Sequence, residues 1–185
     1  MKKTTLLLAR HGETVDNANQ IMQGQTQGRL NENGIRQAEE LSGRMKDRKI
    51  DAFVASDLKR SVDTCRIVAA PHHAEVHTTQ LLRERDWGGF TGRYIPDLKG
   101  ETWPDDVESL DALKLRAQRF LDYIKREYSG QTVLPYFMQN IVPNEATGMA
   151  MTTVLISFTM SLTPHTLKRK YSDNGTTPRR TTDAT

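Results

Sequence analysis

Arg10-His11-Gly12 is the stretch of this chain whose residue types suit chemistry on an anion. An imidazole can act as nucleophile or base, a guanidinium can chelate two oxygens, and a glycine lets the backbone pass close to a bound group. The ligand that fits all three is a phosphate. The triplet follows the apolar run Leu6 to Ala9, so a buried strand hands polar groups to a pocket. Taken alone, the pattern also fits a histidine that merely ends a strand, and the weight comes from the rest of the N-terminal half.

Four segments agree, in order. Arg10-His11-Gly12-Glu13-Thr14 with Asn17 resembles the signature of the histidine phosphatase superfamily, the phosphoglycerate mutase-like family. Leu30-Asn31-Glu32-Asn33-Gly34 with Gln37-Ala38 resembles the segment that opens the family's first helix. Ser56 to Ser61 with Thr64 resembles its second arginine motif, and Leu82 to Gly92 its acid-bearing loop. The resemblance covers roughly residues 4 to 134. It implies that His11 is a nucleophile, that Arg10 and Arg60 clamp a phosphoryl group, and that Glu84 is the acid. Asn17, Gln23 and Gly24 resemble positions that contact phosphate or substrate, Thr14 can donate a hydroxyl proton, and Trp87 can wall off the leaving group; the first four equally suit turns without a ligand, and Trp87-Gly88-Gly89 equally suits a packed loop. Without the family pattern, Arg60 among Asp57, Lys59 and Asp63 reads as a solvated helix residue, and Glu84 beside Arg83, Arg85 and Asp86 reads as surface charge.

The implied chemistry is phosphomonoester hydrolysis in two displacements. A neutral imidazole attacks phosphorus if its other ring nitrogen donates to a fixed acceptor. Glu84 protonates the departing alkoxide and then deprotonates water, a double role that wants a carboxyl pKa raised toward neutrality. The chain passes quickly from Thr91-Gly92-Arg93 to its next helix, without the extra segments that hold a phosphoglycerate in the mutases, which favours hydrolysis. The loop Glu84-Arg85-x-x-Gly88-Gly89-x-Thr91-Gly92 nevertheless resembles the mutase form. The expected substrates are small phosphorylated metabolites.

The elements that must position these residues alternate. Strands are expected at Thr4 to Ala9, Ile50 to Ala55, Ala74 to Thr78 and Gln131 to Leu134. Asn31 caps a helix whose apolar face is Ile35, Ala38, Leu41 and Met45. A second helix starts near Asp57, with Leu58, Val62, Cys65 and Ala69 on one side, and ends at Pro71. Leu110, Leu113, Ala117, Phe120, Ile124 and Tyr128 mark a long third helix. This order predicts an α/β three-layer sandwich with a mostly parallel central sheet, one domain over 1–170, and a disordered tail over 171–185.

Beyond residue 134 the family pattern fails. Relatives carry a second histidine after the strand that follows the long helix. Here Thr132-Val133-Leu134 leads into Pro135-Tyr136-Phe137-Met138, and a second candidate strand, Thr153 to Ser157, leads into Phe158-Thr159. His165 is the one histidine of this half, next to Pro164 and Lys168-Arg169-Lys170. Either the C-terminal half has diverged or it has been read in a shifted frame.

Composition excludes several classes. The 26 basic and 23 acidic residues leave a net charge of +3, too little to indicate nucleic acid. The basic clusters Lys168 to Lys170 and Arg179-Arg180 lack interleaved aromatics. A single cysteine, Cys65, precludes an intrachain disulfide and points to reducing cytoplasm. Lys2-Lys3 with Leu6 to Ala9 is too short for a signal peptide, and Met149 to Leu162 too short to span a bilayer. His72-His73, Glu75 and His77 have no fourth ligand at regular spacing and read as a loop, so no metal and no cofactor is expected. The oligomeric state is left open.

Overall fold

The computed structural model describes residues 3–136 and 156–160. The expected domain end at 170, the tail 171–185, His165, and residues 153–155 of the second candidate strand lie outside the described residues. The strands are β1 (Thr4–Leu8), β2 (Ala52–Ala55), β3 (Val76–Thr78), β4 (Thr132–Tyr136) and β5 (Ile156–Met160), in one sheet ordered β3-β2-β4-β1-β5. Every pairing is parallel except that of β5, which runs antiparallel along β1 with Leu8 opposite Ile156 and Thr4 opposite Met160. The helices are α1 (Val15–Ala18), α2 (Glu32–Met45), α3 (Lys59–Ala69) and α4 (Leu110–Glu127).

Successive strand residues serve opposite faces, and both faces are covered. Leu7, Phe53, Ala55, Leu134 and Tyr136 pack with Leu41 and Met45 of α2 and with Cys65 and Val68 of α3. Leu6, Ala52, Val54 and Val133 pack with Phe120 and Ile124 of α4. The result is the three-layer α/β sandwich that alternation of strand and helix dictates.

Three differences from the sequence expectation have physical reasons. β4 does not stop at Leu134 but continues through Pro135 to Tyr136. Proline removes only one ladder donor, and the Pro135 carbonyl still accepts from Ala9 N–H at 3.1 Å. Pro71 does not end a helix abruptly, because the chain tightens into a 3-10 turn at Ala70–His72 in which proline fits the first positions. Ile35, expected on the buried face of α2, is exposed, and Gly34 is the residue turned inward.

That exchange follows from a close backbone crossing. Asn31 caps α2 by accepting from Gly34 N–H at 2.8 Å. The first turn of α2 then lies against the loop after β1, where a Cβ on Gly12 would overlap the Gly34 carbonyl and a Cβ on Gly34 would overlap the Glu13 carbonyl. Both obstacles are backbone and cannot swing away. Gly34→Ala is therefore expected to cost about 3 kcal/mol, at the upper end for overpacking. Urea denaturation checks this, and an unmoved midpoint would contradict the crossing.

Candidate active site

Because β1, β2 and β3 run parallel, the segments that follow them leave the sheet at one rim, where ligands of open α/β sheets gather. Arg10 and His11 follow β1, Ser56 to Arg60 follow β2, and Arg83 and Glu84 follow β3. The connection after β2 enters α3 at once, which places Arg60 in its first turn.

Arg60 is 1% exposed. Its guanidinium donates from Nε to His11 Nε2 at 3.2 Å, from Nη2 to the Gly24 carbonyl at 2.9 Å, and from Nη1 to the Thr26 carbonyl. One helical turn on, the Thr64 hydroxyl donates to the Arg60 carbonyl at 2.7 Å and accepts from Gly12 N–H at 3.1 Å. The helix start and the histidine loop are thereby locked together.

These contacts determine the state of His11. Its Nδ1 lies 2.8 Å from the Gly12 carbonyl, which can only accept, so Nδ1 carries the proton. Nε2 is left with a lone pair, and Arg60 donates to it. Burial first, then the charge of Arg60, push the His11 pKa down from 6.5 to about 3, opposed by the Gly12 hydrogen bond and assisted by Arg10. The ring is neutral and its tautomer is fixed.

Burial also lowers the pKa of Arg10 and of Arg60, and in both cases the nearby negative charge of Glu84 is the largest opposing influence. Asp16 adds to it at Arg60. Arg10, Arg60 and Glu84 therefore share one electrostatic neighbourhood with His11. The Glu84 carboxylate accepts from Arg85 N–H at 3.2 Å, and its main-chain carbonyl accepts from Gln25 Nε2 at 3.1 Å.

The remaining candidates frame this centre. Gln23 is buried, and its Oε1 has no hydrogen-bond partner. Gly24 has φ +51°, and a Cβ there would stand 2.8 Å from Thr91 Oγ1 and 3.6 Å from Trp87 Cδ1, so the acid loop lies against it. Trp87 meets Trp103 edge to face at 5.5 Å, with the Arg85 guanidinium 4.9 Å from each ring centre. Thr14 and Asn17 form a capping box on α1: the Thr14 hydroxyl accepts from Asn17 N–H and Asn17 Oδ1 accepts from Thr14 N–H. Their oxygens shape the loop, and the Asn17 NH₂ is the donor that side chain can offer a ligand.

Other groups stand apart. α3 runs back from the rim, so His72 and His73 lie at the far end of the sheet, with the His72 ring 5.1 Å from that of Phe53. Among the described residues no group of three metal-binding side chains gathers. Cys65 is buried and its thiol pKa is raised by that burial, which keeps it a core residue. No described helix is long and apolar enough to cross a membrane.

Sequence reasoning did not assign Thr64, Thr26, Gln25 or Asp16 to the site. Thr64 carries a signal, since it stands four residues after Arg60 and so shares its helix face. Thr26 contributes a main-chain oxygen, which leaves no mark on residue type.

Residues 6–136 match the model of the histidine phosphatase superfamily (branch 1), and the chain belongs to that family. It is 33% identical over 135 residues to the Uncharacterized phosphatase PhoE of Bacillus subtilis (strain 168), covering 71% of this chain and 69% of that protein. It is 38% identical over 98 residues to the Probable phosphoglycerate mutase GpmB of Proteus mirabilis (strain HI4320), covering 52% of this chain and 46% of that protein, so the match spans less than half of this relative. The crystal structure of phosphoglycerate mutase from Bacillus anthracis str. Sterne superposes with a TM-score of 0.78 at 19% identity, covering 91% of this chain and 93% of that one, a likeness of fold.

The depressed pKa of His11 has a measurable sign. Between pH 6.5 and about 3 the unfolded chain binds a proton at this residue that the folded chain does not, so stability falls as pH drops through that window. Long-range ¹H–¹⁵N NMR at pH 5 should show a neutral His11 ring protonated on Nδ1, and His11→Asn should lose less stability than the wild type on acidification from pH 6.5 to 4. A cationic ring at pH 5 would contradict the assignment.

Proposed function

We propose that this protein hydrolyses phosphomonoesters of small metabolites through a phosphohistidine on His11. The observation that carries the reading is the neutral Nε2 lone pair to which Arg60 donates, beside an Arg10 whose charge reaches the same ring and a Glu84 whose charge reaches both guanidiniums. The phosphate dianion is drawn by Arg10 and Arg60, which stabilise its equatorial oxygens. Nε2 attacks phosphorus, the ester P–O bond breaks, and Glu84, whose carboxylate takes up a proton when the phosphate dianion enters beside it, gives that proton to the alkoxide. Water then attacks the phosphohistidine and leaves its proton on Glu84, the N–P bond breaks, and the lone pair returns to Nε2. The Nδ1–H bond to the Gly12 carbonyl persists and spreads the positive charge that the ring acquires.

Hydrolysis is favoured over mutase activity by the short passage from Arg93 to α4, which holds only the 3-10 turn Ile95–Leu98 as further regular structure. The name of the B. subtilis relative is consistent with a phosphatase. The single buried Cys65 supports a reducing cytoplasm as the compartment. A second reading, a phosphate-binding protein of impaired catalysis, is motivated by the absence of a histidine after Leu134 and after Ser157 in the sequence. Loss of one such donor commonly costs on the order of 100-fold to 1000-fold in rate.

Incubation with an aryl phosphate, an acid-free quench and peptide mass spectrometry should find phosphate on the His11 peptide, lost in His11→Ala. Turnover without that adduct would eliminate the covalent route, and phosphate binding without turnover would favour the second reading. Glu84→Gln should lower hydrolysis of an alkyl phosphate by about 100-fold or more. It should spare the burst of p-nitrophenolate from p-nitrophenyl phosphate, whose leaving group needs no proton, and slow only the later turnover in which water must lose one. Equal losses of the cleavage step on both esters would remove Glu84 as the acid.

A further inference from the structure

We propose that Arg116, together with Glu108, is a positioning residue that fixes the acid loop and thereby the distance of Glu84 from the phosphoryl site; this rests on the acid role of Glu84. After the 3-10 turn at Gln80–Leu82 the loop has no ladder of its own, so its carbonyls must find donors elsewhere. Arg116, in the middle of α4, supplies them: its guanidinium donates to the carbonyls of Leu81 at 3.2 Å, of Arg83, and of Glu84 at 3.3 Å.

The other edge of the same guanidinium grips Glu108 with two bonds, Nε to Oε1 at 2.9 Å and Nη2 to Oε2 at 2.7 Å. Glu108 extends the brace past the acid. Its carboxylate accepts from Asp86 N–H at 3.2 Å, its carbonyl accepts from Arg85 Nε at 2.8 Å, and its N–H donates to the Asp86 carbonyl at 2.9 Å. Burial is the largest influence on the Glu108 carboxyl and acts to raise its pKa, yet the bonds and charge of Arg116, with the Asp86 N–H and Arg85, hold it below the usual range. The pair is charged and mostly buried, with 15% and 13% of its side chains exposed.

From the opposite side, Gln25 holds the same Glu84 carbonyl. Gln25 lies between Gly24 and Thr26, whose carbonyls hold Arg60, and its Oε1 accepts from Arg83, which forms an ion pair with Asp57 just ahead of α3. The Glu84 carbonyl is thus clamped between α4 and the loop that carries the arginine site. The cleft of about 410 Å³ beside this clamp includes both Arg83 and Arg116 in its lining, but each is already paired with a carboxylate, so the cleft offers no free cation to a ligand.

The test compares two esters in the full chain. Arg116→Met and Glu108→Gln are assayed on p-nitrophenyl phosphate, which needs no acid, and on glycerol phosphate, which does, while amide exchange is followed at Arg85 and Asp86. A misplaced acid should lower the single-turnover cleavage rate of glycerol phosphate by about tenfold to 100-fold and that of p-nitrophenyl phosphate by about threefold at most, since misplacement by an ångström carries such a penalty. Exchange at Asp86 should quicken, and Arg116→Lys should restore part of the alkyl rate. Equal losses of the cleavage rate on both esters, or none, would overturn the proposal. If the wild type hydrolyses neither ester, the proposed function fails by itself, and the exchange rates decide the brace: quickened exchange in Arg116→Met supports it, and unchanged exchange overturns it.

Discussion

A guanidinium withdrawn from water must find acceptors for its donors, and at Arg60 that requirement organises the rim of the sheet. An isolated buried charge costs several kcal/mol or more, so the surrounding chain bends to meet it. The carbonyls of Gly24 and Thr26 turn inward, and the turn is made with positive φ at Gly24 and Gly28. The third acceptor is the lone pair of His11, so the shape of the turn from Gly24 to Gly28, the start of α3 and the orientation of the imidazole are solutions to a single problem.

The electrostatics follow. The charges of two guanidiniums, Glu84 and Asp16 meet around an imidazole that burial keeps neutral. In the proposed reaction Arg10 and Arg60 draw the dianion, and their burial strengthens the attraction. Because the Nδ1 proton is held by a main-chain carbonyl, the attack proposed for Nε2 would need no prior deprotonation.

The sequence made part of this legible. The apolar runs, the Asn31 cap and the three-to-four spacing of Ala38, Leu41 and Met45 specified the sandwich, since periodicity and capping are local properties. Ile35 was misread because a close approach of two backbones, at Gly12 and Gly34, outranks the apolar period. The strand expected to end at Leu134 runs on to Tyr136 because Pro135 loses only its N–H. Arg10, His11, Arg60 and Glu84 were legible as a family pattern. The acceptors around Arg60 were not, since main-chain oxygens belong to every residue alike. Arg116 and Glu108, eight residues apart, look in the sequence like ordinary surface charges.

Much of the hold on the loop after the Gln80–Leu82 turn falls on its main chain: Gln25 and Arg116 take the carbonyls of Leu81, Arg83 and Glu84, and Glu108 takes the amide of Asp86, while the Arg83 and Arg85 side chains add bonds to Asp57, Gln25 and Glu108. Contacts of that kind survive exchange of the side chains that hang from the same backbone. The Trp87 side chain supplies none of those bonds, so under the proposed function its exchange should alter which leaving groups are accommodated more than it moves Glu84. A lineage carrying such a scaffold could change diet without rebuilding its catalyst.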